Sequence, residues 1–144
     1  DLNELRVATE LEVQEMLGSR YPQIEHRVKL ITSALNAIFE KEHTLSLDRL
    51  KTISRRDARQ FVRELPEMHP FVEGYVMLFA FDGHAFPVDD QMARLLRDEE
   101  IVEEETSLAD VQKFVEHHLK AEEMYPFYYA LRAASGKGRK KAKA

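Results

Sequence analysis

The chain has 144 residues, enough for one domain with its own core, with 44% hydrophobic residues and a net charge of −5. It has no cysteine, which excludes disulfides, thiolate catalysis and cysteine-held zinc or iron–sulfur centres. No run approaches the ~18 apolar residues of a membrane span, and no signal-peptide pattern opens the chain, so the expected setting is intracellular (cytoplasm or nucleoid), with no membrane partner.

Charge is unevenly placed. The last eight residues hold Lys137, Arg139, Lys140, Lys141 and Lys143 and no acid, which leaves −10 on the rest. Arg49, Lys51, Arg55, Arg56, Arg59 and Arg63 form a basic run; Asp98, Glu99, Glu100, Glu103, Glu104 and Glu105 form an acidic one. An acidic body is a poor general match to a polyanion.

In chain order, Thr9 with Glu12 reads as a capping box and Gly18 as a stop, which gives a short helix near 10–17. Tyr21-Pro22 breaks the chain. Ile24, Val28, Ile31, Leu35 and Ile38 recur at three and four residues, predicting an amphipathic helix to about Glu40. A short helix near 46–52 should bury Leu47 and Leu50. Ser54 caps the next, whose inward face is Ala58, Phe61, Val62 and Leu65, and Leu65-Pro66 ends it.

Pro70 suits a helix first turn, where its missing N–H costs nothing. The helix from Phe71 to about Phe81 is apolar nearly all round and is expected in the middle of a core, its stripe Phe71, Tyr75 and Phe79 included. Phe86-Pro87-Val88 runs extended, because proline disfavours helical geometry before it. Asp89-Asp90 opens a helix with Met92, Leu95 and Leu96 inward. Ser107 starts another with Leu108, Val111, Phe114, Val115 and Leu119. A last helix near 122–134 carries Met124, Phe127, Tyr128 and Leu131; Gly136 is expected to end it, with 136–144 a disordered basic tail behind a single domain at 1–135. No strand and no repeat is evident. Glu116-His117-His118 lacks zinc-like spacing, and His69 and His84 stand alone, so no metal and no cofactor is expected.

Two stretches about twenty residues apart carry a resemblance. They are Leu65-Pro66-Glu67-Met68-His69-Pro70-Phe71 and Phe86-Pro87-Val88-Asp89-Asp90-Gln91-Met92-Ala93-Arg94-Leu95, linked by the apolar helix. Together they resemble the helix-hairpin-helix and following aspartate of the endonuclease III-like base-excision DNA repair superfamily. That family reads Leu-Pro-Gly-x-Gly, a buried helix, then Val-Asp ahead of an amphipathic helix with an arginine. The resemblance covers roughly 24–105 well; outside that range only helix order supports it. It implies an all-α orthogonal multi-helix bundle with a central helix-hairpin-helix, like part of a DNA glycosylase core.

The resemblance implies Asp89 as the catalytic carboxylate and Glu67, Met68, His69 and Phe71, with Arg59 and Arg63 on the preceding helix, as the DNA-binding positions. From the residues alone, Asp89 reads equally as a helix N-cap. Glu67 and His69 replace the family's glycines, so side chains hold the turn off DNA, and Glu67 puts a negative charge where a phosphate would lie. Phe71 replaces the lysine that forms a Schiff base, so any activity would be that of a monofunctional DNA N-glycosylase rather than a lyase. The expected function is a base-excision-repair-like domain that binds DNA weakly, with a partner protein supplying missing helices. The alternative is a non-catalytic helical module of the same fold that serves as a protein-interaction scaffold.

Overall fold

A computed structural model describes the backbone of residues 1–142 and the side chains of 1–136. Every regular element among the described residues is helical. The chain divides into two compact units, Asp1–Met68 and His69–Ala144.

The first unit is built on one long helix. The helices α1 (Leu2–Val7) and α2 (Glu10–Leu17) both pack against α3 (Ile24–Glu42). Thr9 and Glu12 close a reciprocal cap on α2: the Thr9 N–H donates to Glu12 at 2.7 Å, and the Glu12 N–H donates to Thr9 Oγ1 at 3.3 Å. Gly18, at φ 86°, ends α2 in a conformation that suits glycine. Val13 and Val28 are buried where α2 meets α3. A 3₁₀ turn at Asp48–Thr52 buries Leu50 and packs against α4 (Arg55–Arg63), which buries Ala58 and Val62. Ser54 caps α4 by accepting from the Asp57 N–H at 3.0 Å. Arg49 grips the carboxylate of Glu42 with two donors, at 2.7 and 2.5 Å, and holds its pKa below the ordinary carboxylate range.

The second unit holds α5 (Pro70–Phe81), α6 (Asp90–Asp98), α7 (Leu108–His118) and α8 (Met124–Ala142). Its core joins Leu78 of α5, Met92, Ala93 and Leu96 of α6, Val111 and Val115 of α7, and Met124, Tyr128 and Leu131 of α8. The extended segment at 85–88 threads this core and is wholly buried. Gln112, itself buried, donates to the carbonyls of Pro70 (3.0 Å) and Phe86 (3.1 Å), tying the first turn of α5 to that segment. A buried amide that satisfies two backbone acceptors fixes their register.

Two expectations are corrected here. The helix α5 is not enclosed on all sides: it buries Glu73, Gly74, Met77 and Leu78, while Val72 and Tyr75 are 44% and 43% exposed. Its closely packed face is the one with the smallest residue. A β-carbon on Gly74 would lie 2.8 Å from the Phe86 carbonyl oxygen, so only glycine admits that approach. The last helix does not stop at Gly136 but continues to Ala142. The side chains of the expected basic tail, and residues 143 and 144, lie outside the described residues. No described helix is long and apolar enough to cross a membrane.

Candidate nucleic-acid interface

In the first unit, Leu65 is buried, Pro66 and Glu67 are exposed, and Met68 is half-buried. Glu67 takes φ 51°, the left-handed region. A glycine would adopt this backbone freely, whereas an L side chain costs about 1–2 kcal/mol there. Glu67 thus holds a backbone geometry that a glycine adopts without strain. On α4, Arg59 is half-buried and Arg63 is exposed one turn on, and neither side chain is without a partner.

We expect Glu67→Gly to stabilise the chain by about 1 kcal/mol, through relief of this conformation. Urea midpoints read the effect. An unchanged midpoint would remove the argument from strain.

In the second unit, His69 caps α5 with its own ring: Nδ1 accepts the Phe71 N–H at 3.1 Å. That Nδ1 is therefore the unprotonated nitrogen. The N–H that a phosphate would use at this helix start already has a partner. Asp89 caps α6, its Oδ1 accepting the Met92 N–H at 2.8 Å. The structure thus joins His69 to Phe71 and sets Arg59 and Arg63 one turn apart, while Asp89 engages its own helix. His84 Nε2 lies 2.5 Å from the Glu116 carbonyl, and His118 Nδ1 lies 2.7 Å from that of Phe114. Among the described residues, no three His, Cys, Asp or Glu side chains gather as a metal would need.

Phe71 and Phe79 pack half-buried against the core, as expected, while Tyr75 is exposed, and the three line an open recess of about 280 Å³ with Tyr128, Tyr129 and Arg132 of α8. Tyr75 stacks on Phe79 at 4.4 Å between ring centres and on Phe71 at 6.0 Å. Tyr128 meets both Tyr75 and Phe79 edge-on. Such offset and edge-to-face pairs hold one another in place. Tyr129 is 58% exposed, and the Arg132 guanidinium donates to the Tyr128 hydroxyl at 3.2 Å. Burial pushes the Tyr128 phenol above its ordinary pKa, with Arg132 pulling the other way. Sequence reading missed Tyr129 and Arg132. The available signal was Tyr128-Tyr129-x-x-Arg132, which sets a cation one turn from a ring.

A separate groove of about 740 Å³ lies between the end of α6 and α7, lined by Asp98, Glu100, Glu103 and Glu104 of the acidic run and by Ile101, Val102 and Phe114.

No family model and no curated protein sequence matches the chain. Among solved structures it is similar to the Clostridium acetobutylicum 8-oxoguanine glycosylase/lyase, crystallised with double-stranded DNA containing cytosine opposite 8-oxoguanine. The TM-score is 0.70 at 22% identity, over 93% of this chain and 45% of that one. The chain therefore spans just under half that protein's length. Over nearly all of its own length it has the all-helical fold of a DNA glycosylase/lyase.

Proposed function

We propose that this chain is a DNA-repair-type recognition domain of endonuclease III-like descent that binds DNA at an unpaired or damaged base. The observation that carries this reading is the aromatic recess. It begins at Phe71, which the resemblance places at the lyase lysine, and it sets the partly exposed rings of Tyr75 and Tyr129 beside the cation of Arg132. Bases taken out of the stack are held by stacking on rings and by nearby cations. In this reading the residues at 67–69 and Arg59 and Arg63 lie along the DNA backbone. With Phe71 in place of an amine, no Schiff base forms there. Any excision rests on Asp89 as the carboxylate that supports a developing sugar cation, and it leaves the strand uncut.

The test is binding to a duplex carrying 2-aminopurine beside an abasic-site analogue, across a salt series, with the full chain and with a chain ending at Gly136. Both should prefer the lesion, and 2-aminopurine emission should be quenched. Tyr129→Ala and Tyr75→Ala should each cost about 1–3 kcal/mol, the worth of one stacked base. If the chain ending at Gly136 binds no better to the lesion than to intact duplex, the reading fails.

A further inference from the structure

The acidic groove faces a different kind of partner from the recess. Its lining carboxylates are Asp98, Glu100, Glu103, Glu104 and Asp110. Asp110 is paired with Lys113 at 3.8 Å, whereas among the described residues Asp98, Glu100, Glu103 and Glu104 have no ion pair. The groove is not uniformly polar: Ile101 is 50% exposed, with Val102 and Phe114 half-buried beside it. Its loop is well fixed. The Ile101 N–H donates to the Leu96 carbonyl at 2.9 Å, and the Thr106 N–H donates to that of Glu103 at 3.1 Å. Arg97 braces it from beneath through a bond to the Thr106 carbonyl at 2.6 Å, and its Nε is buried with no partner. Glu100 sits at φ 56°, so the loop holds a strained backbone while presenting its carboxylates.

Such a face repels nucleic acid and selects a cationic chain. The basic run at 49–63 is interrupted by Asp57, whereas Lys137 to Lys143 offers five positive charges and no acid. Among the residues whose side chains are described, Leu131 is the last buried one, and Ala142 of the same helix lies about 16 Å further along the axis at ~1.5 Å per residue. We propose that the groove at 97–114 docks the basic segment 137–143 of a second copy of this chain. Two such contacts exchanged reciprocally close a two-fold dimer. The apolar floor takes the aliphatic stems of the lysines, whose heads meet the carboxylates.

Sedimentation velocity of the full chain tests this at about 0.02 M and about 0.5 M salt, where screening differs widely. A dimer is expected at low salt and a monomer at high salt. The double variant Glu103→Lys/Glu104→Lys, changed only at exposed loop positions, should weaken self-association by roughly tenfold or more. A chain ending at Gly136 should do the same. Mixing those two proteins is decisive: the truncated chain has an intact groove and the charge-reversed chain an intact segment, so the mixture should form a one-to-one complex. A full chain that is monomeric at low salt, a truncated chain that still dimerises, or a mixture that stays monomeric would each overturn the proposal.

Discussion

Cutting Phe86 back to alanine is expected to cost about 3–5 kcal/mol, the usual range for a large aromatic removed from a packed core. Phe86 is fully buried, its ring 5.4 Å from that of Phe127 and 6.1 Å from that of Tyr128. Its backbone is held as firmly as its ring. The N–H donates to Glu116 Oε1 at 2.9 Å, and the carbonyl accepts from Gln112 at 3.1 Å. Those bonds survive the substitution, so the segment cannot easily collapse into the space left behind, and the cavity term stays large. Against a total stability of about 5–15 kcal/mol, the loss is a large share. Urea unfolding followed by far-ultraviolet circular dichroism reads it. Phe86→Leu keeps most of the volume and should cost under about 1.5 kcal/mol. A loss below ~1 kcal/mol for Phe86→Ala would show that the segment relaxes, against the two-sided anchoring described here.

The legible parts of the fold were those set by local chemistry. Thr9 with Glu12, Gly18, Ser54, Asp89 and Ser107 each sit at the helix boundary that their side chains predict. The helix α1 went unread although it carries the same signal: Asp1 and Glu4 form a capping box. A six-residue helix is too short for periodicity to register. The start of α3 at Ile24 was legible from the Tyr21-Pro22 break and the apolar period, but not from a cap. Gln23 enters it at φ 53° with no side-chain cap, so nothing in its residue type marks the boundary.

Burial was harder to read than boundaries. Hydropathy says how apolar α5 is, not which of its faces the rest of the chain covers. Gly74 decided that through shape, and the apolar Val72 and Tyr75 were left outside. The recess was invisible for the same reason. Phe71 and Phe79 do pack against the core, and nothing in the stripe says that Tyr75 stays exposed or that the partner helix brings Tyr129 and Arg132 beside it. Glu67 was the reverse case. The resemblance singled out a glycine position, and a left-handed backbone stands there under a glutamate.

Gly74→Ala tests that account of α5 most directly. In an unconstrained helix interior, alanine is the better residue by ~1 kcal/mol. Here the sign should reverse, with a net loss of about 1–3 kcal/mol from overpacking. The new β-carbon would meet Gln112 Nε2 at 2.7 Å and the Phe86 carbonyl oxygen at 2.8 Å. These two obstacles are not alike. The Gln112 amide is the end of a flexible side chain and can turn away, though it then gives up two hydrogen bonds to buried carbonyls. The Phe86 carbonyl belongs to backbone anchored on both sides. Adding Gln112→Ala should therefore rescue little of the loss. Gly136→Ala is the matched control: its β-carbon would meet nothing within 4 Å, and the helix continues through it, so that substitution should stabilise by up to about 1 kcal/mol. Opposite signs for the same chemical change, in thermal melts of the full chain, are the expected result. Equal signs would mean that α5 shifts away from the 85–88 segment at little cost, and the register that carries Asp89 would then not depend on the missing side chain at Gly74.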